Sequence, residues 1–370
     1  MPHSPNRRQF IRHGSALTAA ATATALARGV AAAPFVHTTR RGANSDTIIG
    51  EGQYRYRVNH RWLELPERYQ WQTTHNVAVD SKNQVYVIHE GRAQMKEHPS
   101  IFVFDEEGKF VRAFGGEFQG GGHGIEVRQE GSEEFLYVAA YQGVKSFAKL
   151  TLTGDIVWYQ KAPMESGKYA PGESTSTKAN WSRNGFLPTN FAFLDDGGFL
   201  LADGYGSYFI HRYDKEANWV SCFGGPGSGE GKFQTAHGLW IDDRGDGDPT
   251  IVVTDRAHHT LQRFTMDGEY LETHEGFGLP ANVDTRGNLM LIPELKARVS
   301  LLDEKNEVVA QLGSAVERLD EIKQLRTKPD QWRDGEFVHP HDACFDREGN
   351  ILVAEWVATG RVTKLTPVDG

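Results

Sequence analysis

Histidine recurs at one position of a repeating pattern in this chain. His123-Gly-Ile, His237-Gly-Leu and His341-Asp-Ala each follow a loop marked by Gly or Pro. Each opens an apolar run that leads through an Asp-rich turn to a second apolar run. In a repeat protein, residues at one repeat offset land at equivalent places in the fold. Three imidazoles so placed offer three nitrogens to a transition metal. Zinc suits such donors, with a fourth position left for water or substrate. A single histidine there would read as the cap of a tight strand entry. Three at one offset read as a metal centre.

The repeat that must position them is visible in the first unit. It runs from His75 through Val85-Tyr-Val-Ile and Ile101-Phe-Val-Phe to Phe114, as four apolar runs of strand length broken by Asp, Asn and Gly turns. Further units open at His123, Thr189, His237, Ala281 and His341, at intervals of 48, 66, 48, 44 and 60 residues. The two long intervals carry insertions at residues 163–186 and 316–333, the second charged and compatible with helix. Six units of four short strands predict an all-β fold, a six-bladed β-propeller, as one domain over residues 51–370. The last unit is one strand short. Residues 54–65 are expected to supply that strand, closing the ring and hiding two open sheet edges.

In such a ring His123, His237 and His341 fall in blades two, four and six, about a third of a turn apart. His75 holds the same offset in blade one. It could be a fourth ligand, a group behind the ligands or a residue of the channel mouth, and the last is the expectation because the trio is symmetric without it. The next offset reads Asn76, Gly124, Asn190, Gly238, Asn282 and Asp342. Asp342, beside backbone carbonyls, is a candidate ligand for a hard cation. The asparagines read as turn chemistry.

The remaining features narrow the functional class. The formal net charge is −9 and there is no basic stripe, which argues against a nucleic-acid partner. The segment Gly224-Gly-Pro-Gly-Ser-Gly-Glu-Gly-Lys-Phe fails as a phosphate loop. Pro226 stands where the first glycine is needed and Phe233 where Ser or Thr is needed, so the segment reads as a loop between blades. At the N-terminus, Asn6-Arg-Arg-Gln-Phe-Ile-Arg precedes a weakly apolar Ala/Thr-rich stretch ending at Ala33. Residues 1–33 therefore read as a twin-arginine signal and 34–50 as a linker, with export to the periplasm or beyond the cell. No other stretch is long and apolar enough to span a bilayer. Cys222 and Cys344 fall in different blades and are expected to be buried free thiols.

From about residue 54 to residue 365 the chain resembles the six-bladed NHL-repeat catalytic domain of peptidyl-α-hydroxyglycine α-amidating lyase. The family's zinc histidines stand in Pro-His-Gly/Ser/Asp motifs. The similar segments here are Gly122-His123-Gly124, Ala236-His237-Gly238 and Pro340-His341-Asp342, of which only the third keeps the proline. The resemblance implies zinc on the three histidines. It also implies calcium on Asp342 with the carbonyls of Val77 and Ile125. Asp203-Gly204-Tyr205 matches the family's catalytic tyrosine motif, and Thr254-Asp255-Arg256 matches its active-site arginine motif. A second family arginine lies in His-Arg-Gly. Here the run is His89-Glu90-Gly91-Arg92, so its transfer to Arg92 is displaced by two positions. The family's disulfides have no counterpart.

The chemistry stands beside the resemblance. Zinc lowers the pKa of a hydroxyl, a tyrosine near a cation serves as general base, and Arg256 can hold a carboxylate in a forked contact. Together they predict a monomeric zinc lyase acting on a small-molecule or peptide substrate. It would split an acyl-α-hydroxyglycine-type carbinolamide into an amide and glyoxylate. Taken singly, Tyr205 reads equally as a core residue between blades, and Arg256 as an ion-pair partner of Asp255 or Asp203. Two other readings are a non-catalytic NHL propeller that binds peptide, glycan or protein, and a metal-dependent hydrolase built on the same ring.

Overall fold

A computed structural model of the protein describes residues 46–368. The twin-arginine segment lies outside the described residues, as does most of the linker. The described chain is a six-bladed β-propeller. Blade one comprises Thr74–Val79, Val85–His89, Ile101–Phe104 and Phe110–Phe114; blade two comprises Gly122–Glu130, Glu133–Ala140, Ser146–Thr151 and Ile156–Gln160. Blade three is Phe191–Phe193, Phe199–Ala202, Phe209–Tyr213 and Trp219–Gly224; blade four is Ala236–Asp242, Thr250–Asp255, Thr260–Phe264 and Tyr270–His274. Blade five is Asp284–Arg286, Leu289–Glu294, Arg298–Leu302 and Val308–Leu312. Blade six is Pro340–Phe345, Ile351–Glu355 and Arg361–Pro367, completed from the N-terminal side by Tyr56–Asn59.

The burial pattern explains why the strands read as they do. Second strands such as Val85–His89 and Ile351–Glu355 are buried throughout, because a neighbouring blade covers each face. Continuous apolar runs follow from that. Outermost strands such as Ile156–Gln160 are largely exposed and carry mixed residues. Six apolar clusters hold the ring, one at each junction. Ile88, Val103, Leu136 and Val138 join blades one and two. Leu291, Leu301, Ile351 and Val353 join blades five and six. Val87, Phe104, Leu352 and Ala354 join blade six to blade one.

Closure occurs as expected. Tyr56–Asn59 pairs antiparallel with Arg361–Pro367, with Val58 opposite Leu365, and Ile48–Ile49 adds a short edge strand outside it. Of the expected segment 54–65, only these four residues form the closing strand. Trp62 beyond it packs into the junction of blades six and one.

The two insertions fold differently. The first, after blade two, has one 3-10 turn, Met164–Ser166, and sends Tyr169 and Phe186 into the junction of blades two and three. The second forms a short helix, Val316–Glu321, over its own small cluster of Leu325, Val338 and Val357. The glycine-rich segment beginning at Gly224 is a loop between blades three and four, as expected. Cys222 and Cys344 are free, but both are partly exposed rather than buried. No helix among the described residues is long and apolar enough to cross a membrane.

Candidate metal centre and channel

The histidines reach the channel through irregularities in the inner strands. The pairing of first and second strands slips between Thr74 and Asn76, between Gly122 and Gly124, between Ala236 and Leu239, and between Pro340 and Asp342. Each slip contains the histidine of that blade. A bulge re-aims a side chain that regular pairing would hold in the sheet's alternation. Gly124 and Gly238 keep room for the arrangement. A Cβ on Gly124 would lie 2.2 Å from the Thr189 carbonyl oxygen, and one on Gly238 would lie 2.4 Å from Asn282 Oδ1.

His123, His237 and His341 form a nearly equilateral triangle, with ring centroids 4.8, 4.9 and 4.7 Å apart. Each Nδ1 is tied to the backbone carbonyl at the same offset one blade on. His123 meets Thr189 O at 2.9 Å, His237 meets Ala281 O at 2.6 Å, and His341 meets His75 O at 2.8 Å. A carbonyl can only accept, so each Nδ1 carries the proton and each Nε2 is left as a ligand. The Nε2 atoms of His123 and His237 are 3.1 Å apart. A tetrahedral ion with Zn–N bonds of 2.0–2.1 Å would set them about 3.3 Å apart. Burial, chiefly, pushes all three imidazoles well below their usual pKa, which keeps them neutral. The donor set fits a transition metal.

His75 is not a mouth residue. It is buried, with its ring 4.8 Å from His123 and 4.6 Å from His341. The bulge in blade one draws it inward as the bulges in the other three blades do. His75, His123 and His341 also bring one nitrogen each within 4.8 Å of one another. What separates His75 from the trio is its anchoring. Its Nδ1 has no partner, and its Nε2 faces Glu90 Oε2 at 3.3 Å.

Residues just beyond the second strands of blades one to four border this cluster. The Tyr205 hydroxyl is 3.0 Å from His237 Nε2 and 3.3 Å from His123 Nε2. The Arg256 guanidinium carbon lies 5.0 Å from the Tyr205 ring centre. Burial raises the Tyr205 phenol pKa, while the charge and hydrogen bond of Arg256 oppose it. The Tyr141 ring lies tilted beside Tyr205 at 5.2 Å and meets His123 edge-on at 5.1 Å. Glu90 adds a carboxylate against His75.

The aspartates of the two motifs have other work. Asp203 accepts the backbone amides of Leu187, Gly206 and Ser207. Asp255 accepts the Gln234 amide and faces His258 Nδ1 at 2.5 Å. Glu294 and Glu355 hold the amides of Gly278 and Val338 in the same way in blades five and six. These carboxylates clamp the loop entering each blade, and neither aspartate pairs with Arg256. Arg92 has no contact with the histidines, Tyr205 or Arg256 among the described residues. It is exposed, and its backbone amide donates to Gln119 Oε1 at 2.8 Å. Gly91, at φ 72°, makes the left-handed turn after Glu90.

Further along the channel lies a cavity of about 130 Å³, lined by Glu126, Asn282, Asp284, Asp342 and Cys344 among others. Asp342 accepts from the Val77 amide at 2.8 Å and the Asn282 amide at 2.5 Å. Asn190 Nδ2 donates to Glu126 at 3.0 Å. The Oδ1 atoms of Asn76, Asn190 and Asn282 are buried without a partner. Burial, together with the neighbouring carboxylates, raises Asp342 to about 7 and Glu126 well above the usual range, and burial raises Asp284 to about 6. Three unsatisfied carbonyl oxygens beside three carboxylates fit a hard cation. The asparagines are thus channel residues as well as turn formers. Of the two residues expected to give carbonyl donors, Val77 meets Asp342 through its backbone N–H. Ile125 holds the same offset in blade two, with its side chain in the junction of blades one and two.

A buried histidine cluster in the channel of a six-bladed propeller defines the class of this protein. No family model matches the chain, and no curated protein matches it. Solved structures do. A streptogramin B lyase matches with TM-score 0.52 at 10% identity, over 85% of this chain and 98% of that one. The virginiamycin B lyase of Staphylococcus aureus matches with TM-score 0.51 at 14% identity, over 85% and 100%. A gluconolactonase of Xanthomonas campestris matches with TM-score 0.53 at 12% identity, over 85% and 90%. At these identities the likeness establishes the six-bladed fold.

Proposed function

We propose that this propeller is a zinc-dependent lyase that cleaves an acyl-α-hydroxyglycine-type carbinolamide to an amide and glyoxylate. The observation that carries the reading is the Tyr205 hydroxyl resting on His237 and His123 with the Arg256 guanidinium beside its ring. A metal held by the Nε2 atoms of His123, His237 and His341 would supply a Lewis acid that acidifies a hydroxyl. As a phenolate, which the Arg256 charge and a bound cation would favour against burial, Tyr205 is placed to take the hydroxyl proton. The electron pair released makes the aldehyde C=O, the C–N bond breaks, and the amide nitrogen recovers the proton from Tyr205. No oxidant or reductant enters. Arg256, free of any carboxylate partner among the described residues, holds the acid end of the substrate by charge-assisted hydrogen bonds. Two propellers of similar fold are lyases and one is a gluconolactonase, so the alternative of hydrolysis on the same ring enters the test. Export by the twin-arginine route belongs to the same proposal, because that route carries a protein folded around its metal.

The test is glyoxylate release from N-acyl-α-hydroxyglycine by the zinc-loaded protein. Arg256→Ala is expected to weaken a carboxylate substrate by about 1.5–3 kcal/mol, roughly ten- to a hundredfold, mainly in KM. Zinc-replete protein that releases no glyoxylate, yet opens a lactone, would favour the hydrolase. One that does neither would favour the binding module.

The second cation is proposed to be calcium at Asp342. Saturating calcium at a hundredfold over Kd should add about 2.7 kcal/mol of stability. Asp342→Asn should abolish the difference in thermal midpoint between calcium and chelator. A wild-type midpoint indifferent to calcium would remove this part of the proposal.

A further inference from the structure

The first insertion is pinned to the loop that carries Tyr205. Lys145 and Glu173, both buried, pair at 2.7 Å. Glu173 also accepts the Phe186 amide at 3.0 Å and Asn180 Nδ2 at 3.2 Å. The Tyr169 hydroxyl donates to Asp203 at 3.0 Å. Arg183 donates to the Tyr205 carbonyl at 3.2 Å and to the Trp181 carbonyl at 2.5 Å, with its guanidinium 3.6 Å from the Tyr208 ring centre. The segment is therefore fixed against the Asp203-Gly204-Tyr205 turn at several points.

This anchoring presents one apolar side chain to solvent above the site. Trp181 is 52% exposed, with its ring 5.8 Å from Tyr205 and 6.1 Å from Tyr141. The other large hydrophobic residues exposed among the described residues are Ile48, Val111, Ile156, Val157, Tyr159, Val220, Leu271 and Val308, all on outermost strands. Their exposure follows from the sheet's outer edge, and that of Trp181 does not. An indole held open beside two phenols that themselves border the histidines is a platform for a flat apolar group. Arg256 lies one blade beyond Tyr205 and Tyr141 one blade before it. A substrate with its acid end at Arg256 and its reacting carbon at the histidines therefore directs its acyl end towards Tyr141 and Trp181.

We propose that Trp181 is a specificity-determining residue, the wall of an acyl subsite that selects substrates with an aromatic or large flat apolar acyl group. The inference rests on the lyase reading for the reaction but not for the binding. The experiment compares wild type, Trp181→Ala and Trp181→Phe, all zinc-loaded, on N-benzoyl- and N-acetyl-α-hydroxyglycine. Wild type should prefer the benzoyl substrate. Trp181→Ala should lower the benzoyl-to-acetyl ratio of kcat/KM about tenfold, and Trp181→Phe should restore most of it. In parallel, calorimetry measures binding of N-benzoylglycine and N-acetylglycine, which lack the hydroxyl and cannot be cleaved. If no glyoxylate appears but N-benzoylglycine binds more tightly than N-acetylglycine and loses that margin in Trp181→Ala, the lyase reading falls and the subsite stands. Equal binding of the two acids by wild type, or equal losses for both in Trp181→Ala, overturns the subsite.

Discussion

Alanine at His123, His237 or His341 is expected to empty the transition-metal site, while alanine at His75 leaves most of the metal bound. The difference follows from proton placement. In the trio each Nδ1 is held by a backbone carbonyl one blade on, so the ligand nitrogen is oriented before any ion arrives. His75 has no such anchor, and its Nε2 is turned to Glu90. A whole tetrahedral site contributes about 10–16 kcal/mol, so one lost nitrogen should cost about 3 kcal/mol, or roughly a hundredfold or more in affinity. Metal content per protein after dialysis reads the result. Full occupancy in all three trio variants would mean that the ion sits elsewhere. Loss in His75→Ala with retention in His237→Ala would move the site to His75, His123 and His341, which the distances also permit.

The parts of this molecule that repeat were legible, and the parts that do not were hidden. The channel histidines could be read because four blades carry the same residue at the same offset and the ring turns that offset into proximity. The same reasoning reaches further than the first two positions. Two residues on, with side chains alternating along the strand, the offset holds Glu126 and Asp284, which line the cavity beside Asp342. The rim is legible in the same way. Glu90, Tyr141 and Arg256 each follow the last residue of a second strand and Tyr205 comes three residues after one, but motif matching singled out only Tyr205 and Arg256. His75 was misplaced because the offset gives position and not direction, and the bulge supplies the direction. Arg92 rests on its motif alone, because the left-handed glycine after Glu90 breaks the strand offset by which the other positions are read. The first insertion has no counterpart in other blades. Its position depends on a buried ion pair 28 residues apart in sequence, Lys145 with Glu173, which no periodicity announces.

Tyr205→Phe is expected to lower kcat by about 10²- to 10⁴-fold, the range for a positioned acid–base group, while metal content stays at the wild-type level. The substitution removes one oxygen. The ring that packs on Tyr141 at 5.2 Å and faces Arg256 at 5.0 Å remains, so the rim keeps its shape. The histidines keep their Nδ1 anchors, none of which involves Tyr205. If the hydroxyl moves the proton, the loss falls on kcat with KM little changed, because an interaction used only in the transition state has been removed. If the hydroxyl merely fills space above the metal, the variant should match wild type in both constants. If it is itself a ligand, metal content should fall together with activity. Measuring zinc and steady-state kinetics on the same preparation separates the three. A Phe variant with full zinc and unchanged turnover in any activity found would leave Tyr205 as a packing residue and remove the base from the proposed mechanism.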